Sequence, residues 1–259
     1  MMSNNKFLKV CFAFLLLLIC ISSFSQIKGT SKIEIPQTKK SEKILCHKHY
    51  CFVYDETHEH SRWVAYTLTK DMTLGNEQRK DKFLPDPLVL SGTAEDSDYI
   101  GTGYDRGHLA PAADMSFCST ALAESFYFSN ISPQNPGFNR GMWKKLENEV
   151  RNYAISLGKI YVVTGPILKT GLQTIGENKV SIPEKYYKAI LYVSDTTCNG
   201  IAFIMKNEKV NNGSLYPYAV SIDYLEKESG IDFFPELPRM VEKRIEKKCD
   251  TVFWKQFGN

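Results

Sequence analysis

Beyond its first 25 residues this 259-residue chain has no apolar run long enough to span a bilayer, no internal repeat and no low-complexity block. Those absences exclude a polytopic helical membrane protein, a solenoid and a chain too poor in apolar residues to fold. It has no Cys-x-x-Cys pair, so a structural zinc site of the usual spacing is unsupported. Strong charge is lacking as well. The formal net charge is +3 and falls to +1 when residues 1–25 are set aside. A polyanionic partner would have to be attracted by local clusters of basic groups, because bulk charge cannot do it.

The first residues have the pattern of an address. Lys6 and Lys9 precede the almost wholly apolar Val10 to Ile21, and Ser23 and Ser25 supply small residues for cleavage. This predicts a signal peptide over 1–25 and a secreted or periplasmic product. A retained anchor is disfavoured because the run falls short of the ~20 residues a spanning helix needs. A lipoprotein ending at Cys20 is disfavoured by the bulky Ile19 before it. Residues 26 to about 45 are polar and lysine-rich and read as a tether to a domain over 46–259.

Five cysteines follow the predicted cut: Cys46, Cys51, Cys118, Cys198 and Cys249. An odd number leaves at least one thiol unpaired. Cys46 and Cys51 are close enough in sequence to pair, and Cys198 with Cys249 is a second candidate. The intervening His47 and His49 give the cluster a metal-like look. Its alternation into Phe52, Val53 and Tyr54 reads more simply as a strand with polar residues on one face.

The remainder alternates strand-like and helix-like pieces, as one mixed α+β domain does. Trp63 to Leu68, Lys159 to Ile167, Tyr187 to Val193 and Ile201 to Met205 are strand-like, and Leu237 to Lys248 has helical spacing. Residues 75 to 103, rich in Gly, Pro, Asp and Ser, form a long irregular connection of the kind that often carries function. A helix is predicted from about Asn139 to Leu157, ended by Gly158. At about 100° per residue, Trp143, Leu146, Val150, Tyr153 and Leu157 share a face. Asn139 falls on that face too, with Glu147 at its edge and Arg151 one turn further on. A polar amide aimed at the core needs a partner, unless Asn139 simply caps the helix.

Gly101-Thr102-Gly103-Tyr104-Asp105-Arg106-Gly107-His108 brings a carboxylate, a guanidinium and an imidazole into four consecutive positions. Phosphodiester cleavage uses such a set. A neutral imidazole can take a proton from water, and a guanidinium can neutralise charge developing on phosphate oxygens. A surface turn with an Asp–Arg ion pair and an incidental histidine would read the same.

Asp105-Arg106-Gly107-His108 resembles the signature of the DNA/RNA non-specific endonucleases of the ββα-metal superfamily. Asn130-Ile131-Ser132-Pro133-Gln134 with Asn139, Trp143, Leu146-Glu147 and Arg151 resembles that family's second block, and Tyr161 to Pro166 the strand after it. The likeness covers roughly residues 50 to 245. It implies a single α+β domain with a central, mostly antiparallel sheet flanked by helices and a ββα-metal motif at the active site. It further implies a Mg²⁺-dependent endonuclease that acts on DNA and RNA and leaves 5′-phosphate ends. His108 would be the general base and Asn139 the direct ligand to one Mg²⁺, a role Mn²⁺ also suits. Glu147 would hold metal-bound water, Arg106 and Arg151 would meet phosphate, and Asn130 would order the site. Asp105 and an upstream arginine, best matched by Arg79 before Phe83-Leu84-Pro85-Asp86-Pro87, would face substrate. Some relatives form homodimers. Two other functions fit the same residues: a nucleic-acid-binding protein without turnover, and a phosphodiesterase acting on small substrates.

Overall fold

A computed structural model describes residues 32–78, 82–210 and 213–258. The predicted signal peptide and Arg79 lie outside the described residues. The chain builds a seven-stranded antiparallel sheet from β1 (Ile44–Cys46), β2 (Cys51–Asp55), β3 (His60–Thr69), β6 (Lys159–Pro166), β9 (Lys185–Val193), β10 (Cys198–Lys206) and β11 (Ala219–Val220), in that spatial order. Two small hairpins stand apart from it, β4 (Asp105–His108) with β5 (Ile131–Gln134), and β7 (Thr174–Ile175) with β8 (Val180–Ser181). Helices are α1 (Ser119–Glu124), α2 (Lys144–Leu157), α3 (Ile222–Ser229), α4 (Arg239–Glu246) and α5 (Thr251–Lys255), besides shorter turns.

Both faces of the sheet are covered, because its central strands alternate two sets of apolar residues. Val64, Tyr66 and Leu68 of β3 and Tyr186 and Ile190 of β9 point to one side. There they meet Trp143, Leu146, Val150 and Tyr153 on the α2 side and Trp254 of α5. Trp63 and Ala65 of β3 and Tyr187, Ala189 and Leu191 of β9 point to the other side, against Leu225 of α3 and Val241 and Ile245 of α4. Period-two alternation puts the fully buried Lys188 on the α2 face, amid this apolar strand.

Several expectations need correction. The predicted tether is docked in its described part: Ile33 is buried in the second core, and the Gln37 amide donates to the Asp232 carbonyl at 2.9 Å. Isolated apolar residues among lysines were enough to anchor it. Cys46 pairs with Cys51, and Cys198 does not pair with Cys249: both are free thiols, as is Cys118. The single strand expected through Cys46 is instead a tight hairpin, with Cys46 opposite Cys51. At its tip His47 bonds Asp86 at 2.8 Å, so this histidine serves as a structural tie.

The helix before Gly158 also departs from the simple pattern. Asn135, not Asn139, is the N-cap: its Oδ1 accepts from the Gly137 amide at 2.9 Å, with Pro136 in the first turn. Asn139–Trp143 is a π-helical turn in which Gly141 leaves the helical basin (φ −103°, ψ −114°), and α2 proper starts only at Lys144. The wider turn breaks the uniform angular count from Asn139 to Trp143, as such turns commonly do near functional sites. Gly158 ends α2 with φ 85°, donating to the Ala154 carbonyl.

Candidate active site

The β4–β5 hairpin and the helix that follows form a ββα unit against the α2 face of the sheet. His108 stands opposite Ile131 and Asp105 opposite Gln134. Gly107 is required here, because a side chain would run into that of Gln134, packed directly on it. The buried amide of Asn130 then fixes the chain just past His108. Its Oδ1 accepts from the Ala110 amide at 2.8 Å, and its Nδ2 donates to the carbonyls of Ala110 (2.9 Å) and Ser125 (2.8 Å). Asn130 is thus a clamp behind the site, not a group that faces it.

A cleft of about 400 Å³ opens above this hairpin, lined among others by Arg106, His108, Asn139, Lys144, Glu147 and Arg151. His108 and Asn139, 31 residues apart in sequence, therefore share one cavity. The His108 ring packs edge-on against Phe126 (4.9 Å between centroids) and at a tilt against Phe83 (5.7 Å), a residue of the long irregular connection. Through Phe83 that connection backs the His108 ring. The Asn139 Nδ2 donates to Asp105 Oδ2 at 2.9 Å, which turns the amide carbonyl away from Asp105. Arg140 makes a two-pronged contact with the same carboxylate (2.9 and 2.6 Å). Asp105 is accordingly occupied in orienting the π turn, although the resemblance placed it toward substrate.

The two site arginines are each tethered to an acid. Arg106 Nε lies 2.6 Å from Asp96 Oδ1, and its guanidinium stands over Tyr99 at 5.5 Å. Arg151 donates to Asp114 Oδ1 at 2.6 Å, and Tyr66 donates to the other oxygen of the buried Asp114 at 2.8 Å. Such ties hold the forks in place before any anion arrives. Glu147 is pushed up to about 7 by burial, with Lys188 opposing and Asp114 adding to the rise. Lys188 is drawn down to about 8 by burial, against the pull of Glu147 and Asp114. Its Nζ donates to the carbonyl of Leu109 (3.2 Å) and to Thr164 Oγ1 (3.1 Å), and lies 4.6 Å from the centre of the Trp143 ring.

Arg140, Lys144 and Asp114 were not singled out from the sequence, and Lys188, although Tyr187-Lys188 also resembles the family, was given no role. Lys188 had a signal: a lone cation in the apolar run Tyr186 to Val193, on the same strand face as Tyr186 and Ile190. Asp114 had none, since only the fold brings it to Arg151.

The donor set fits a small hard cation. Asn139 offers an amide oxygen and Glu147 a carboxylate, a sparse protein shell of the kind Mg²⁺ accepts while keeping water. Phosphate would be flanked by Arg106, Lys144 and Arg151.

Residues 29–240 match the family described as DNA/RNA non-specific endonuclease. The mitochondrial nuclease EXOG of Danio rerio is 39% identical over 202 residues, 72% of this chain and 59% of the relative. Human EXOG is 35% identical over 80% of this chain and 61% of its own length. A nuclease of Nostoc is 32% identical over 80% and 79%. The chain thus spans about three fifths of the length of the EXOG relatives it matches. The crystal structure of an EndoG/EndoGI complex superposes with a TM-score of 0.74 at 28% identity, over 83% of this chain and 93% of that one. These relatives also overturn one expectation. A secreted or periplasmic location does not fit nucleases named as mitochondrial, EXOG and human endonuclease G among them. By sequence match and by fold, the chain belongs to the DNA/RNA non-specific endonuclease family.

Proposed function

We propose that the protein is a metal-dependent endonuclease that hydrolyses phosphodiester bonds of DNA and RNA with little base preference and leaves 5′-phosphate ends. The observation that carries this reading is the sharing of one cleft by His108 and Asn139, with Glu147, Arg106 and Arg151 around them. His108 takes a proton from the attacking water at a ring nitrogen as the new P–O bond forms and the bond to the 3′ oxygen breaks. Arg106 and Arg151, held by Asp96 and Asp114, neutralise charge growing on the phosphate oxygens. Asn139 would hold the cation directly and Glu147 through water, and a Mg²⁺ ion there would supply polarisation of the phosphate and stabilisation of the leaving 3′ oxygen. Low base preference follows from the contacts, which all address phosphate, water or metal and not base edges. Homodimerisation belongs to the same family-based reading and is measured by sedimentation.

The test is purified protein on supercoiled plasmid and on single-stranded RNA, with Mg²⁺ or with chelator, beside His108→Ala. Cleavage of both polymers by the wild type, lost in chelator and in the variant, is expected. Equal cleavage by His108→Ala refutes the assigned role. Binding without cleavage would favour a nucleic-acid-binding protein, and a preference for a small diester over DNA would favour a phosphodiesterase.

A further inference from the structure

On the far side of the sheet from the cleft, α3 and α4 bring five carboxylates together. Asp223 and Glu226 sit on α3, Glu242 and Glu246 on α4, and Asp232 in the connection between them. They form two triads, Asp223/Glu226/Glu246 and Asp232/Glu242/Glu246, in each of which the oxygen atoms lie within 4.8 Å of one another. Glu246 belongs to both. It is only 6% exposed, and its Oε1 is buried with no hydrogen-bond partner. A buried carboxylate oxygen left without a donor is costly, unless something not yet counted supplies positive charge.

Among the described residues no donor reaches that oxygen. Glu226 has one donor, the Phe233 amide at 2.9 Å. Arg239 and Lys243, exposed on α4, favour the ionised form of Glu242. Lys185, at the start of β9, goes to Glu228 instead (2.9 Å). Burial, reinforced by the neighbouring carboxylates, pushes Glu246 up to about 8 and Glu226, whose Phe233 bond partly offsets the rise, up to about 7.

We propose that these five carboxylates form a calcium site, centred on Glu246, that clips α3 to α4. The choice of ion follows from size and ligand count. Ca²⁺ takes six to eight oxygens at ~2.3–2.6 Å, so ligands opposite each other across the ion stand about 4.6–5.2 Å apart. Mg²⁺, at ~2.0–2.1 Å, needs a tighter octahedron and keeps most of its water. Carboxylates gathered around one buried glutamate, with no nitrogen or sulfur donor among them, suit the ion that takes more protein oxygens and gives up its water more readily. The site lies apart from His108 and Asn139, and the inference is independent of the nuclease reading.

The experiment is equilibrium dialysis of the metal-stripped full chain against radioactive Ca²⁺, paired with thermal unfolding with and without Ca²⁺. Wild type, Asn139→Ala, Glu246→Gln and Glu242→Gln are compared. Asn139→Ala disables the cleft, so any ion it holds belongs elsewhere. Wild type and Asn139→Ala are expected to bind one Ca²⁺ per chain that both glutamine variants lose. Ca²⁺ should raise the melting temperature of the first two proteins and leave that of the glutamine variants unchanged. Glu242→Gln covers the case in which the buried Glu246→Gln does not fold. The proposal is overturned if Asn139→Ala binds no Ca²⁺, or if the folded glutamine variants bind as much as wild type. It is equally overturned if acid stabilises the wild type and Ca²⁺ does not, which would mean that shared protons alone settle the cluster.

Discussion

Asn130 and His108 are neighbours in the fold with opposite dependences. The Asn130 amide makes three bonds to buried backbone groups, and its truncation would strand them. Asn130→Ala should therefore cost about 3 kcal/mol of stability or more in denaturant titration, from three unsatisfied buried groups at ~1–3 kcal/mol each. His108, half-buried, lines the cleft, and its replacement by alanine should remove turnover at a smaller cost in stability. A second residue-scale prediction concerns pH. Burial drops the His60 imidazole to about 4, from 6.5 in the unfolded chain. A neutral folded imidazole contributes full stability above pH 6.5, and the contribution is lost as pH falls toward 4. The loss is about 3 kcal/mol, at 1.36 kcal/mol per pH unit of difference. Between pH 7 and pH 4 the stability gap between wild type and His60→Gln should narrow by roughly that amount, as read by urea unfolding; a constant gap would mean that His60 titrates alike in the folded and unfolded chain.

At the scale of elements, the β4–β5 hairpin and the π turn hold the geometry between them. Gly107 lets Gln134 lie directly on the strand, and the Gln134 Nε2 reaches the His108 carbonyl at 3.4 Å. Gly107→Ala should displace Gln134 and move the His108 backbone. It is expected to lower cleavage by at least tenfold at unchanged substrate affinity, while far-UV circular dichroism stays native; unaltered kcat would show that the hairpin has slack. The π turn plays the complementary part, since Asp105 fastens both Asn139 and Arg140 across the gap between strand and helix.

For the molecule as a whole, the strands were legible because their residues carry the pattern locally. The β-branched and aromatic runs of β3, β6, β9 and β10 are buried on both faces wherever they are central. His108, Asn139, Glu147, Arg106 and Arg151 were legible from two short blocks, and the fold gathers them in one cleft. What escaped the sequence depends on distant contacts. Asp114 acquires its meaning from Arg151 and Tyr66, Ile33 from a core made by residues far along the chain, and the phase of the helix from one glycine that leaves the helical basin. Cys198 and Cys249 looked pairable for the same reason, since sequence alone does not say which thiols meet.

The central claim is that His108 and Asn139 serve one reaction in one cavity. A double-mutant cycle on plasmid cleavage in Mg²⁺ tests it most directly, with His108→Ala, Asn139→Ala and the double variant compared with wild type. Groups that act as a unit are strongly non-additive, so each single change should lower kcat by about 10²-fold or more and the double variant should be scarcely slower than the worse single one. Losses that simply multiply in the double variant would contradict the account, because they would place the two residues in independent tasks.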